Sequence, residues 1–137
     1  MPVHQATLTF PTGAAHEIRD LTADVAAAVR ASGARDGLCI VFTPHATAAV
    51  TINENDDPNV GMDLLDALSR LVKDHDGWRH DRVDDNAAAH IKAAIVGPSE
   101  TIPVREGRLA LGTWQNVFFC EFDGPRASRR VHVTVLW

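Results

Sequence analysis

The chain has 137 residues, 45% of them hydrophobic, and a formal net charge of −5. That length suits one domain, able to bury about two-thirds of the surface its unfolded chain exposes. The acidic balance argues against nucleic-acid binding, which needs a basic face, and no apolar run nears the roughly 18 residues of a membrane span.

Val3 to Phe10 alternates loosely and ends at Phe10-Pro11-Thr12-Gly13, a strand running into a turn. His16 to Leu21 suits a short second strand. Thr22 is the expected N-cap of a helix over Ala23 to Ser32, with Val25 and Val29 on one face and Gly33 just past its end. Gly37 to Phe42 is a continuous apolar run between turn signals, which predicts a strand buried on both faces. Pro44 ends it, and Ala48 to Ile52 forms another strand. Asp57-Pro58 supplies an N-cap and a first-turn proline to a helix whose apolar stripe is Met62, Leu64, Leu65, Leu68, Leu71 and Val72. His75 to Asp84 is polar and irregular. Asp85 or Asn86 is the expected cap of a third helix from Ala87 to about Val96, closed by Gly97-Pro98. Thr101 to Val104, Thr113 to Phe122 and Arg130 to Trp137 complete the strands.

Helices interleaved with strands, followed by a strand-rich final third, predict a single compact α+β domain over residues 1–137, with mixed or antiparallel sheets and about three helices. Three helices cannot cover so much sheet, so a close-packed oligomer is the physical expectation. Cys39 and Cys120 each sit in an apolar run and are expected as reduced, buried thiols. With no basic-then-apolar leader in Met1 to Gln5, this predicts a cytoplasmic protein without a membrane partner.

The stretch from Gly107 to Gln115 is not what simple packing requires. Gly107 and Gly112 permit positive φ or a close approach. Thr113, Trp114 and Gln115 carry groups that need partners when buried, so the stretch is either a fixed polar corner or a hairpin turn feeding a core strand. Ser99, Ile102, Val104, Gly107, the run Gly112-Thr113-Trp114-Gln115 and Val117 fall at the spacing of the YjbQ family signature. His45-Ala46-Thr47-Ala48, Thr51-Ile52-Asn53-Glu54-Asn55, Asp57-Pro58 and Ala89-His90-Ile91-Lys92 also look like family blocks, in the family's order. The chain thus resembles the YjbQ family over most of its length. The resemblance implies a homotrimer and an activity like that of a secondary thiamine-phosphate synthase, which joins a pyrimidine methyl diphosphate to a phosphorylated thiazole. Two positions depart from the pattern: Ala46 stands where many members carry threonine, and Ala88 where proline is common.

Among seven histidines, His45 follows a buried strand, His80 lies in the polar loop beside Arg79, Asp81 and Arg82, and His90 shares a helix face with Asn86. Two readings are open. The three neutral imidazoles converge on one divalent metal, zinc or another transition metal in preference to magnesium, with a position left for water or substrate. Alternatively, they act without metal as acid, base and anion binder. Glu54 is expected to orient a histidine N–H, completing the catalytic set, whereas Asp57 is a cap. Ser99, Lys92, Arg105, Thr113 and Gln115 are the expected binding set for a small phosphorylated substrate. There is no Gly-x-Ser-x-Gly elbow, no aspartate-rich magnesium motif and no glycine-rich phosphate loop, and no organic cofactor is expected. The same histidines also suit a metal-assisted hydrolase or phosphate-ester enzyme, or a non-enzymatic metal- or ligand-binding trimer.

Overall fold

The computed structural model describes all of residues 1–137. It contains strands β1 (Val3–Thr12), β2 (Glu17–Asp20), β3 (Gly37–Phe42), β4 (Ala48–Asn53), β5 (Ser99–Arg105), β6 (Arg108–Leu109), β7 (Asn116–Glu121) and β8 (Arg126–Leu136). The helices are α1 (Thr22–Ser32), α2 (Asn59–Leu71) and α3 (Ala87–Val96), with a single 3₁₀ turn at Arg79–Arg82. Two sheets form, ordered β1-β8-β3-β5-β6 and β2-β7-β4. Every pairing is antiparallel. None of the helices is long and apolar enough to cross a membrane.

Two cores explain the layering. In the larger, Val131, Val133 and Val135 of β8 and Cys39 and Val41 of β3 point inward, toward Val25 and Val29 of α1 and Val50, Val117 and Phe119 of the smaller sheet. Phe10 and Phe119 meet edge to face with ring centroids 4.9 Å apart. The second core lies on the other side of the three-stranded sheet, where Ala49, Phe118, Cys120 and Phe122 meet Leu68 of α2 and Ala89 and Ala93 of α3. The order is therefore five-stranded sheet, three-stranded sheet, helices, with α1 filling the space beside the inner sheet. Burial raises the Cys39 thiol to about 11 and the Cys120 thiol to about 12, so both stay protonated and behave as small hydrophobes.

The α+β class, the antiparallel pairing and the three helices agree with the sequence pattern. Several local expectations do not hold. The strands covered on both faces are β7 and the first half of β4, which lie between the two cores, rather than β3. β3 turns Cys39 and Val41 inward but leaves Leu38 and Phe42 exposed on the outer side of the five-stranded sheet, where this chain supplies no cover. Met62 and Leu71 are likewise exposed, so α2 buries a narrower stripe through Leu68 and Val72.

The helix starts also differ. Asp20 Oδ1 accepts the Thr22 N–H (2.8 Å) and hydroxyl (2.6 Å), so aspartate, not Thr22, caps α1. Thr22 Oγ1 in turn accepts the Val117 N–H and ties the helix to β7. Asp81 Oδ1, rather than Asp85 or Asn86, accepts the Ala87 N–H at the start of α3. Two expected ends hold: Asp57 Oδ1 accepts the Asn59 N–H before α2, and Gly33 closes α1 at φ 74°, a left-handed backbone that favours glycine.

Candidate functional site

The chemistry-bearing side chains gather where β4 begins and β7 ends, beside α3 and the 3₁₀ turn. Their foundation is a buried ion pair. Arg129 and Glu121 are 4% and 0% exposed. Arg129 Nε donates to Glu121 Oε1 at 2.8 Å, its Nη2 donates to Oε2, and Nη2 also donates to the Thr47 hydroxyl at 3.0 Å. The Thr12 hydroxyl and the Asp123 N–H donate to the same carboxylate. Burial alone would raise the Glu121 pKa; the hydrogen bonds from Arg129, Thr12 and Asp123 outweigh it and hold the carboxyl below its ordinary value.

His45 stands on this foundation. Pro44 ends β3, and the histidine Nε2 then accepts the Arg130 N–H at 2.9 Å. A nitrogen that accepts a backbone N–H holds no proton, so the neutral ring carries its proton on Nδ1. Burial, then the Arg129 and Arg130 charges, lower the His45 pKa and favour that neutral form. The ring lines a cleft of about 320 Å³ with Ala46, Ala48, His90, Ala93 and Pro98. Ala46 beside His45 adds a methyl group to this wall and no hydroxyl.

His90 also lines a second cleft of about 470 Å³ with Asp76, Trp78, Arg79, His80 and Ile91. Its ring meets His80 nearly perpendicular, centroids 4.8 Å apart. α3 holds one histidine and the 3₁₀ turn the other, and Asp81 fixes the turn to the helix by capping it. His80 Nε2 lies 3.8 Å from Asp84 Oδ2. His90 therefore links two clefts, touching His80 in one and facing the His45 wall in the other.

The three ring nitrogens do not form one compact donor group within the chain. The only set of three ligand atoms lying within 4.8 Å of one another is His75, Asp81 and Asp85. A single metal held by His45, His80 and His90 of one chain does not fit this arrangement. Glu54 has no histidine partner either: its Oε2 accepts the Asp57 N–H at 3.3 Å. It lies beyond the far end of β4 from His45, roughly 17 Å along the strand.

The expected phosphate-binding set is also dispersed. Ser99 and Arg105 are the two ends of β5, roughly 20 Å apart in extended backbone. Lys92 is 1% exposed, its Nζ 2.9 Å from His16 Nε2 and above the Phe122 ring. Burial lowers the pKa of Lys92, with Asp74 opposing it; burial and then the Lys92 charge lower that of His16. Thr113 is exposed in a turn, and Gln115 Oε1 accepts the Gly112 N–H at 2.8 Å, closing that turn. Trp114 is 58% exposed, so the stretch is not a buried polar corner: Gly107 turns β5 into β6, and Gly112 to Gln115 is a surface turn that carries the chain from β6 across to β7 in the other sheet.

Sequence reasoning missed Arg129, Glu121, His16 and the His75–Asp81–Asp85 group. Arg129 had a signal: it shares the inward phase of β8 with Val131, Val133 and Val135, and a charge in that phase needs a buried partner.

A family model described as UPF0047 protein YjbQ-like matches residues 6–137. The chain is 47% identical over 129 residues to a UPF0047 protein of Archaeoglobus fulgidus, covering 94% of this chain and 98% of that protein. It is 43% identical over 123 residues to the UPF0047 protein YugU of Bacillus subtilis, covering 88% and 90%. Among solved structures, a YbjQ-like protein of unknown function from Sulfolobus solfataricus superposes with a TM-score of 0.95 at 36% identity, covering 98% of this chain and 96% of that one. An uncharacterised YjbQ/UPF0047-family protein from Clostridium acetobutylicum gives 0.92 at 42% identity, covering 96% and 99%.

Proposed function

The chain belongs to the UPF0047 family of YjbQ-like proteins, and from that premise we propose that it is an enzyme acting on a small phosphorylated substrate at the surface shared by His45, His80 and His90. Its chemistry is like that of a secondary thiamine-phosphate synthase. The observation that carries this reading is the His80–His90 contact in a cleft that also contains Arg79. About 470 Å³ is ample for a small molecule.

In such a reaction the bond between the pyrimidine methylene carbon and the diphosphate oxygen breaks. The diphosphate leaves with the electron pair, and the thiazole nitrogen bonds to that carbon. The leaving group needs positive charge and a proton. Arg79 supplies a fixed cation, and the His80–His90 pair supplies donors beside it. His45 contributes a neutral N–H from the adjoining cleft. Lys92, Ser99, Arg105, Thr113 and Gln115 do not share a pocket within one chain, so this reading draws on none of them as a group.

We further infer a homotrimer joined through the outer side of the five-stranded sheet. Val3, Leu38 and Phe42 expose apolar side chains there, at 53%, 44% and 40%. Ser99 pairs with Phe42 on that side, next to Pro98 of the His45 cleft, so a neighbouring copy docked here adjoins the site. Light scattering on the Leu38→Glu, Phe42→Glu double variant is expected to give a smaller mass than the wild type; an unchanged mass rules this face out.

The activity test is direct. Purified protein is incubated with the pyrimidine methyl diphosphate and the thiazole phosphate, and thiamine phosphate is followed. His80→Ala and His90→Ala are each expected to slow product formation by about 10²-fold or more while leaving the unfolding midpoint in place. Absence of product with the wild type removes the thiamine reading, and full activity in both variants removes the site.

A further inference from the structure

The segment between α2 and α3 carries a second constellation, separate from the histidine clefts. His75 Nδ1 lies 3.0 Å from Asp85 Oδ1 and 4.0 Å from Asp81 Oδ2, and one ligand atom from each of the three residues falls within 4.8 Å of the other two. A tetrahedral ion with ligands at about 2.0–2.1 Å holds neighbouring donors about 3.3 Å apart. The spacing here brackets that value, so small side-chain adjustments are enough to close a site.

Capping explains only part of this cluster. Asp81 Oδ1 is engaged by the Ala87 N–H, but its other oxygen, Oδ2, is withdrawn from solvent and has no donor. Asn86 Oδ1 is in the same condition, and these are the only two buried side-chain atoms in the protein without a hydrogen-bond partner. Both are acceptors, one in the cluster and one beside it. Asn86 lines a cleft of about 140 Å³ together with His75, Asp85, Asp74 and Asp123, with no lysine or arginine in its wall. Arg126 is paired with Asp123 and Lys92 stands beside His16, but neither cation reaches Asp81 Oδ2 or Asn86 Oδ1, and these two oxygens still lack a positive partner. One imidazole and two carboxylates suit a divalent ion of zinc character.

We propose that His75, Asp81 and Asp85 bind one divalent transition-metal ion, zinc or a close analogue, at the mouth of this acidic cleft. Three protein ligands leave a coordination position open for water or an oxygen ligand. The ion neutralises the two aspartates and pins the segment before α3, and with it the 3₁₀ turn that carries His80.

The test is titration of the metal-free full chain with zinc chloride by calorimetry, and with cobalt(II) by visible absorption. The wild type is expected to take up one ion per chain and to give the intense absorption of low-coordinate cobalt. Asp81→Asn keeps an oxygen for the Ala87 N–H, so α3 remains capped, but it removes the charge; zinc affinity is expected to fall at least tenfold. His75→Ala is expected to do the same, with the circular dichroism of both variants unchanged. His90→Ala is expected to leave zinc binding intact, which separates this site from the activity proposed above. The proposal is overturned by wild type that takes up no stoichiometric ion, the cluster then being an ordinary ion pair. It is equally overturned by loss of the ion in His90→Ala with retention in Asp81→Asn.

Discussion

Two polar clusters lie close together in this fold, near the end of β7 and the start of α3, and they are built on opposite terms. The Glu121–Arg129 cluster is sealed. Its charges are buried, Thr12, Thr47 and the Asp123 N–H complete its hydrogen bonds, and it leaves no orphaned atom. The segment from His75 to His90 is open, with His75 and His80 partly exposed and two buried oxygens lacking donors. A saturated network has no capacity left for a ligand, so it serves as a clamp between β7 and β8. An unsaturated one is where a substrate or ion gains most by arriving. His45 sits on the boundary, its Nε2 spent on the Arg130 N–H and its Nδ1 free to donate.

The comparison breaks first at Arg129. Arg129→Ala leaves the Glu121 carboxylate buried without its counter-charge, and is expected to cost about 3–5 kcal/mol in denaturant unfolding. That corresponds to a fall in Tm on the order of 10 °C. Replacing both partners together, as Arg129→Met with Glu121→Leu, is expected to cost less than the single change, because no charge is stranded. A loss below about 1 kcal/mol for Arg129→Ala would falsify the clamp.

Acid sharpens the same contrast. The Glu121 carboxyl is held below its ordinary value of 4.5 in the folded chain. Its contribution is therefore present above about pH 4.5 and lost as pH falls through the lower folded value. The stability gap between wild type and Glu121→Gln is expected to be constant from about pH 7 to 8 and to narrow below about pH 4.5. His16 and His45 are both held below 6.5. They favour the folded state above that pH and lose their contribution on acidification, and because the Glu121 charge raises both, the loss is larger in Glu121→Gln and widens the gap from about pH 6.5 downward until Glu121 itself titrates. A gap that goes on widening below about pH 4.5 contradicts the assignment.

How much of this was legible depended on the range of the interaction. Gly33 and the Asp57 cap act within a turn of chain, and both were readable. Asp20 and Asp81 were not: Asp81 caps α3 from six residues upstream, across a 3₁₀ turn that no periodicity announces. The apolar run of β3 resembles that of β7, yet of the two only β7 has a core on each side. An uncovered apolar face and a doubly buried strand look alike until the layers are known. The phosphate-binding set is dispersed within the chain for a related reason, since Ser99 and Arg105, six residues apart in sequence, are the opposite ends of one strand. His80 and His90 were legible as candidates, but their contact depends on the turn folding back onto α3.

The smallest expected effect is the most discriminating. His80 is 42% exposed in its side chain, and its neighbours there are His90 and the Asp84 carboxylate. Edge-to-face contact between rings is worth about 0.5–1.5 kcal/mol when both are well packed, and exposed ion pairs are worth less than about 1 kcal/mol. His80→Ala should therefore cost no more than about 1 kcal/mol, with a shift in Tm of only a few degrees. That is several times smaller than the Arg129→Ala loss, although both residues lie near the same histidine surface. If His80→Ala instead destabilises as much as Arg129→Ala, the 3₁₀ turn belongs to the structural clamp. The division between a sealed foundation and an open working face would then have to be redrawn around α3.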